Sequence, residues 1–311
     1  MLHEPIKHVQ IFDGAAGTEL SGLPEAKGRF IEELNLLHPE LVENLHARYI
    51  ESGADYLTTN TFGVNPAKWN VAGSDWKEVA DAAIAIARRA AGNTGVKVMF
   101  DIGPSGKLME PIGDFTFEQA YDNIREVVDY TKNKVDGYII ETYSDLYEAK
   151  AAVLAAKEGS DLPVFATMTF DATGRTLTGS TPEIVALTLS SLNVDALGIN
   201  CSTSPEHFYD LVKRMRPFTS LPILVQPNKG LPIMAGGKVF YNFTDEQFAH
   251  WTGKLIEAGA SIVGGCCGTS PSTIRAIAVY KGRELPEYAQ PEGTYICSPT
   301  RLLKLEKGII C

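Results

Sequence analysis

No apolar run in the sequence approaches the ~20 residues that a membrane-crossing helix needs, so no membrane span is expected. The first ten residues hold His, Glu, Pro and Lys and lack an apolar signal core. No secretion signal is therefore read, and the cytoplasm is the expected compartment. Positive charge is in short supply: 28 Lys and Arg stand against 38 Asp and Glu, a net charge of −10 over 311 residues. Nucleic acid and anionic membranes both need a basic footprint, so neither is an expected partner. Cysteine is scarce too. The five are Cys201, Cys266, Cys267, Cys297 and Cys311, an odd number with two adjacent, which suits no disulfide framework. In a reducing compartment such a set points to metal or thiol chemistry. The six histidines form no H-x-x-x-H or H-x-H pair and read as surface or packing residues.

What is present alternates in two kinds of segment. Short apolar runs at 8–12, 55–59, 97–101, 137–141, 164–169, 196–200, 223–226 and 261–264 read as buried parallel strands. Amphipathic stretches at 40–51, 77–91, 118–133, 146–157, 183–192, 206–215, 245–257 and 272–280 have helical length. Thr116 with Gln119 and Thr244 with Gln247 match capping boxes. Thr181-Pro182, Ser204-Pro205 and Ser270-Pro271 each set an N-cap before a proline whose missing amide costs nothing there. This alternation predicts a single (β/α)8 TIM barrel over 1–282, with a C-terminal tail over 283–311. An open doubly wound sheet is the alternative. Its Gly-rich phosphate turn is missing, because Asp13-Gly14-Ala15-Ala16-Gly17 does not fit G-x-G-x-x-G.

The reactive groups of such a barrel belong at the C-terminal ends of its strands. The polar residues at those ends are Asp13, Thr59, Asn60, Asp101, Glu141, Thr142, Thr169, Asn200, Cys201, Asn228 and the run 264–268. Cys201, Cys266 and Cys267 thus gather on one side of the rim, and glycines beside the adjacent pair permit the sharp turn that lets both face one ion. Three thiolates make a plausible face for Zn2+ with one tetrahedral position open. Packing as small core residues is the alternative for each cysteine alone. A closed structural zinc would instead recruit Cys297 or Cys311. Three thiolates on Zn2+ leave one net negative charge, so the metal is a poor generator of hydroxide. It suits a substrate thiol better. An alkyl thiol with a pKa near ~8.5 is mostly protonated at pH 7, and coordination makes it a thiolate while the anionic ligands keep it nucleophilic. The expected chemistry is S-alkylation of a small thiol, with the activated substrate itself as nucleophile.

The remaining rim residues suit an amino acid. Asp13 and Glu141 are carboxylates for an α-ammonium group, with Thr169 beside them as a further candidate contact. The turn amides of Gly14 and Ala15 can receive a carboxylate. The alternatives are a turn role for Asp13 and Asn228 and a rim ion pair of Glu141 with Arg175.

Six segments carry a family resemblance: Asp13-Gly14-Ala15-Ala16-Gly17-Thr18, Thr59-Asn60-Thr61-Phe62-Gly63, Asp101-Ile102-Gly103-Pro104, Glu141-Thr142-Tyr143-Ser144-Asp145, Gly198-Ile199-Asn200-Cys201-Ser202 and Gly264-Gly265-Cys266-Cys267-Gly268. Together they resemble the homocysteine S-methyltransferase family across residues 8–282. Met168–Arg175, Leu177-Thr178-Gly179 and Pro227-Asn228-Lys229-Gly230 look most like its cobalamin-dependent branch. The resemblance implies a (β/α)8 barrel whose zinc ligands are Cys201, Cys266 and Cys267. It implies homocysteine contacts at Asp13 and Glu141, and Asn228 in the metal's open position when substrate is absent. It implies transfer of a methyl group to L-homocysteine, giving methionine. The betaine-dependent branch has a tyrosine near Thr61-Phe62-Gly63, where this chain has Gly63. No D-x-H-x-x-G cobalamin motif is present, so methylcobalamin is expected on a separate corrinoid protein or on corrinoid and folate modules. S-methylmethionine or betaine as donor, and a non-catalytic thiol- or zinc-binding barrel, are the alternatives.

Overall fold

The computed structural model describes residues 6–71, 73–235, 238–289 and 291–305. Its barrel strands are β1 (Gln10–Ile11), β2 (Tyr56–Thr58), β3 (Lys97–Ile102), β4 (Gly137–Tyr143), β5 (Val164–Met168), β6 (Ala196–Cys201), β7 (Ile223–Pro227) and β10 (Ile262–Val263). They run in parallel in the order β1-β10-β7-β6-β5-β4-β3-β2. A parallel bridge between Phe12 and Tyr56 joins the two ends of that order. The Asp55 amide reinforces it by donating to the Ile11 carbonyl at 2.7 Å. Helices α3 (Pro39–Glu51), α4 (Trp76–Ala91), α5 (Phe117–Thr131), α6 (Leu146–Gly159), α7 (Pro182–Ser191), α8 (Pro205–Met215), α9 (Asp245–Ala258) and α10 (Pro271–Ile277) follow the strands in turn. The protein is a single (β/α)8 TIM barrel. None of its helices, among the described residues, is long and apolar enough to cross a membrane.

Local chemistry sets the helix starts. Thr116 Oγ1 accepts from the Gln119 amide while Gln119 Oε1 accepts from the Thr116 amide, and Thr244 with Gln247 repeats the exchange. Each box satisfies two amides that the first helical turn leaves open. Thr116→Ala or Thr244→Ala is expected to lower stability by about 1 kcal/mol, read from a denaturant midpoint at constant slope. No loss in either variant would mean that these bonds only replace equally good ones to water.

The barrel interior explains where polarity can begin. Phe12, Met99, Ile139, Phe165, Ala196, Leu224 and Ile262 form one apolar cluster, with Tyr56 packed against it. Nearly every strand contributes one residue to this layer. Side chains on a strand alternate, so residues two further on face the same interior one level higher. Those residues are Gly14, Thr58, Asp101, Glu141, Thr167, Gly198, Gln226 and Gly264. An apolar floor and a polar storey above it are thus written with period two.

Three additions interrupt the simple alternation. Between β1 and α3 lie two short helices, α1 (Ala16–Ser21) and α2 (Leu34–Leu37). Between β7 and α9 lies an antiparallel hairpin, β8 (Pro232–Ala235) with β9 (Lys238–Tyr241). The tail returns along the N-terminal edge, where the Leu285 amide donates to the Lys7 carbonyl. It then forms a hairpin of β11 (Thr294–Cys297) and β12 (Leu302–Leu305). This hairpin packs on α7, with Cys297 Sγ 3.7 Å from Thr188 Oγ1, and Ser180 Oγ donates to the Pro299 carbonyl. Cys311 lies outside the described residues.

Candidate metal centre and amino-acid pocket

Cys201, Cys266 and Cys267 come together at the rim, with their sulfurs all within 4.8 Å of one another. Cys201 Sγ is 4.0 Å from Cys267 Sγ. Regular alternation after the inward-facing Asn200 would send Cys201 outward. Left-handed backbone at Cys201 (φ 58°) and Ser202 (φ 62°) ends that alternation. Each such non-glycine residue costs on the order of 1 kcal/mol or more, a strain that collects at functional sites. The other two cysteines sit on a turn held from both sides. The Cys266 amide donates to the Pro227 carbonyl and the Lys229 amide to the Cys267 carbonyl, each at 2.9 Å. Gly268 is left-handed (φ 80°), and the Tyr241 ring packs where its Cβ would be. Hydrogen bonds from Cys201 and then Cys266 pull the Cys267 thiol down, which favours a thiolate within the trio.

Asn228 sits between these two anchors at the end of β7, 8 % exposed, and its Oδ1 is buried without a hydrogen-bond partner. Three soft sulfur donors, with a buried side-chain oxygen left free on the residue between their two backbone anchors, fit a tetrahedral, thiolate-preferring divalent ion with one exchangeable position.

A cavity of about 370 Å³ opens beside the sulfurs. Its lining includes Asp13, Glu32, Asp101, Glu141 and all three cysteines, with no lysine or arginine. The lining histidine, His46, is held neutral, because burial pushes it down to about 4. The cavity therefore favours a cation. Asp13, 3 % exposed, accepts from the Thr58 amide and hydroxyl, both at 2.7 Å. Burial nevertheless pushes it up to about 7. Glu141 forms no hydrogen bond among the described residues; burial, then Asp13 and Cys201, push it up to about 8. Asp101, 5 % exposed, has an unpartnered Oδ1 and is raised well above the usual carboxyl range by burial and then by Glu141.

Asn200 ties the acids to the metal strand. Its Oδ1 accepts from the Thr142 amide and the Thr167 hydroxyl, and its Nδ2 donates to the Thr142 hydroxyl. This bracing holds Thr142 in a left-handed conformation (φ 65°) where β4 departs from regular register. Gly14 is required by crowding: a Cβ there would lie 2.8 Å from Thr269 Oγ1 and 2.9 Å from the Tyr49 hydroxyl.

Asp13, Gly14, Ala15, Glu141 and the three cysteines thus line one cavity. Thr169 and Asn228 are not part of that lining. The Thr169 amide and hydroxyl both turn to the Tyr143 carbonyl. Ala15 presents its amide to Thr269 Oγ1 at 3.1 Å, whereas the Gly14 and Ala16 amides have no protein acceptor among the described residues. Arg175 does not pair with Glu141; its guanidinium donates to the Gly179 carbonyl. Strand-end pattern already marks Asp101 as polar, without a role. Glu32, His46 and Tyr49 come from the segment after β1 and from α3, and no motif marks them.

A metal-capable thiol trio beside an acidic pocket on a TIM barrel defines a class, and comparison with known proteins gives the family. The chain belongs to the homocysteine S-methyltransferase family, whose profile matches residues 10–280. It is 33 % identical over 293 residues to methionine synthase of Mycobacterium tuberculosis, covering 88 % of this chain and 24 % of that protein. Against methionine synthase of Mycobacterium leprae it is 31 % identical, covering 91 % of this chain and 25 % of that protein. The chain therefore spans about a quarter of the length of these curated relatives. The homocysteine methyltransferase MmuM from Escherichia coli has the same fold, with a TM-score of 0.74 at 23 % identity, covering 88 % of this chain and 96 % of that one.

Proposed function

We propose that this chain is a zinc-dependent methyltransferase that places a methyl group on the sulfur of L-homocysteine to form methionine. The observation that carries this reading is the cavity itself, in which three cysteine sulfurs share one wall system with four carboxyl groups and no lysine or arginine. Cys201, Cys266 and Cys267 would hold the zinc, with Asn228 Oδ1 as the exchangeable fourth donor. Zinc, when bound, supplies the Lewis acidity that turns a thiol into a thiolate at neutral pH. Glu141, assisted by Asp13, takes the substrate ammonium, and the free amides of the turn after Asp13 take its carboxylate. Free thiols this close together stay reduced in the cytoplasm, which is the compartment of this reading.

The donor in this reading is methylcobalamin carried by a corrinoid protein or module. Two features support a large donor. Two relatives, 33 % and 31 % identical, are named methionine synthase. Exposed Phe30, Leu108, Ile112, Leu177, Leu231, Met234 and Phe240 all stand on segments that follow barrel strands, the side of the barrel on which the cavity lies. Apolar area of this kind suits a macrocycle or protein face and is of no use to a small polar donor. Parallel assays of homocysteine with methylcobalamin, S-methylmethionine and betaine test the donor. Turnover confined to a small donor would overturn the corrinoid part, and no turnover with any donor would favour a non-catalytic barrel.

Proton linkage gives a second test. Asp13 at about 7 and Glu141 at about 8 are largely protonated at pH 6, and an ammonium ligand needs them charged. Binding of homocysteine is expected to tighten as pH rises from 6 to 8, by up to about tenfold per unit for each proton released. The thiol proton adds to the slope. With 3-mercaptopropionate, which has no amino group, the carboxyl part of the slope should vanish. Equal slopes for the two thiols in a calorimetric pH series would contradict an ammonium site at these acids.

A further inference from the structure

Asn228 is fixed through its neighbours, and the strongest fixture is the side chain of Lys229. Its Nζ lies 2.7 Å from Asp245 Oδ1, with the two side chains only 18 % and 24 % exposed. Asp245 opens α9 and also accepts from Ser272 Oγ at 2.7 Å and Thr273 Oγ1 at 2.6 Å, at the start of α10. That helix follows the cysteine pair directly. One carboxylate therefore clamps the end of β7, the start of α9 and the start of α10 together. The backbone of Lys229 is bonded to Cys267, and the backbone of Pro227 is bonded to Cys266 and in register with Cys201. Immediately beyond, Gly230 turns left-handed (φ 91°), packed so closely on Asn242 that no side chain fits. The Lys229 side chain thus adds a hold to the backbone bonds of residue 229 where the chain turns away. A partly buried pair with two further hydrogen bonds on its acid is a stronger hold than an exposed ion pair.

We infer that the Lys229–Asp245 pair is a positioning device that sets the Asn228 side-chain Oδ1 as fourth donor toward the metal in the substrate-free protein. The inference rests on the zinc reading above and adds two residues that do not touch the metal. Its signature is state-dependent. The pair matters while Asn228 holds the fourth position and ceases to matter once a thiol occupies it.

The test uses the whole chain with zinc or cobalt(II), in wild type and in Lys229→Met, Asp245→Asn, Asn228→Ala and the Lys229→Met/Asn228→Ala double variant. Chelator competition reads zinc retention, and visible absorption of the cobalt form reads the donor set. Without thiol, Lys229→Met and Asp245→Asn are expected to weaken zinc retention about tenfold, the usual scale for a group that orients a metal ligand. Their cobalt spectra should move toward that of Asn228→Ala. With saturating homocysteine the loss should shrink to within about twofold, and Lys229→Met should add nothing in the Asn228→Ala background. Equal losses with and without homocysteine, or a full further loss in the double variant, would mean that the pair only braces the loop and would overturn the inference. An unchanged cobalt spectrum in Asn228→Ala would overturn it too, while leaving the three-sulfur site intact. Failure of the wild type to retain either metal would sink the zinc reading itself.

Discussion

Alanine at Cys201, Cys266 or Cys267 should take the purified protein from about one zinc per chain to almost none. In the proposed site, three sulfurs within 4.8 Å of one another would form the whole anionic part of the donor set, so losing one would leave two thiolates and a neutral amide oxygen. A site of that kind has lost a strong bond and a charge together. Methyl transfer to homocysteine should fall with the metal. Cys297→Ala is the internal control, because that thiol sits on the tail hairpin against Thr188. It should keep both zinc and activity. Metal analysis of the four variants decides the matter: zinc loss in Cys297→Ala would describe a closed structural centre and remove the basis for catalysis there.

Glu141→Gln should keep zinc near one per chain and lose homocysteine. The carboxyl forms no hydrogen bond among the described residues and stands in a cavity without lysine or arginine, so its charge has nothing else to serve. A charge-assisted bond to a desolvated ammonium is worth roughly 1.5–3 kcal/mol, which corresponds to about ten- to over a hundredfold in affinity. The neutral amide keeps the shape and gives up that part. For 3-mercaptopropionate the same variant should be nearly silent. Titration calorimetry with both thiols separates the cases. If both ligands weaken alike, or zinc is lost, Glu141 shapes the rim and the amino-acid pocket must lie elsewhere.

Much of the fold is legible in the sequence because a parallel barrel repeats two local signals, an apolar run for each strand and a capped amphipathic stretch for each helix. All eight apolar runs fall on barrel strands, within about two residues at their ends. The Thr116 and Thr244 boxes form as their spacing demands. The cysteine trio is legible for a topological reason, since residues ending strands on one side of a barrel must meet. The rest depends on tertiary facts. Among the described residues the β8–β9 hairpin pairs only with itself, so its strands leave no buried run to detect. No glycine announces the left-handed turn at Cys201. Thr169 sits at a strand end like Glu141, yet the displaced register of β4 offers it the Tyr143 carbonyl, and it turns there. Tyr49 and His46 reach the pocket from a helix, across a distance that spacing along the chain does not encode.

Under the proposed function, the apolar floor of the barrel would also set the order of events. Phe12, Phe165, Leu224 and their neighbours close the bottom beneath the acids, so the cavity communicates with its surroundings through the mouth at the rim. A donor large enough to cover that mouth shares it with the small reactant. In the proposed corrinoid reading, homocysteine would have to arrive before the donor seats itself, and methionine would have to wait for the donor to lift away. Traffic would then be single-file. An excess of donor protein should then slow turnover at low homocysteine, because a mouth covered too early traps an empty chamber.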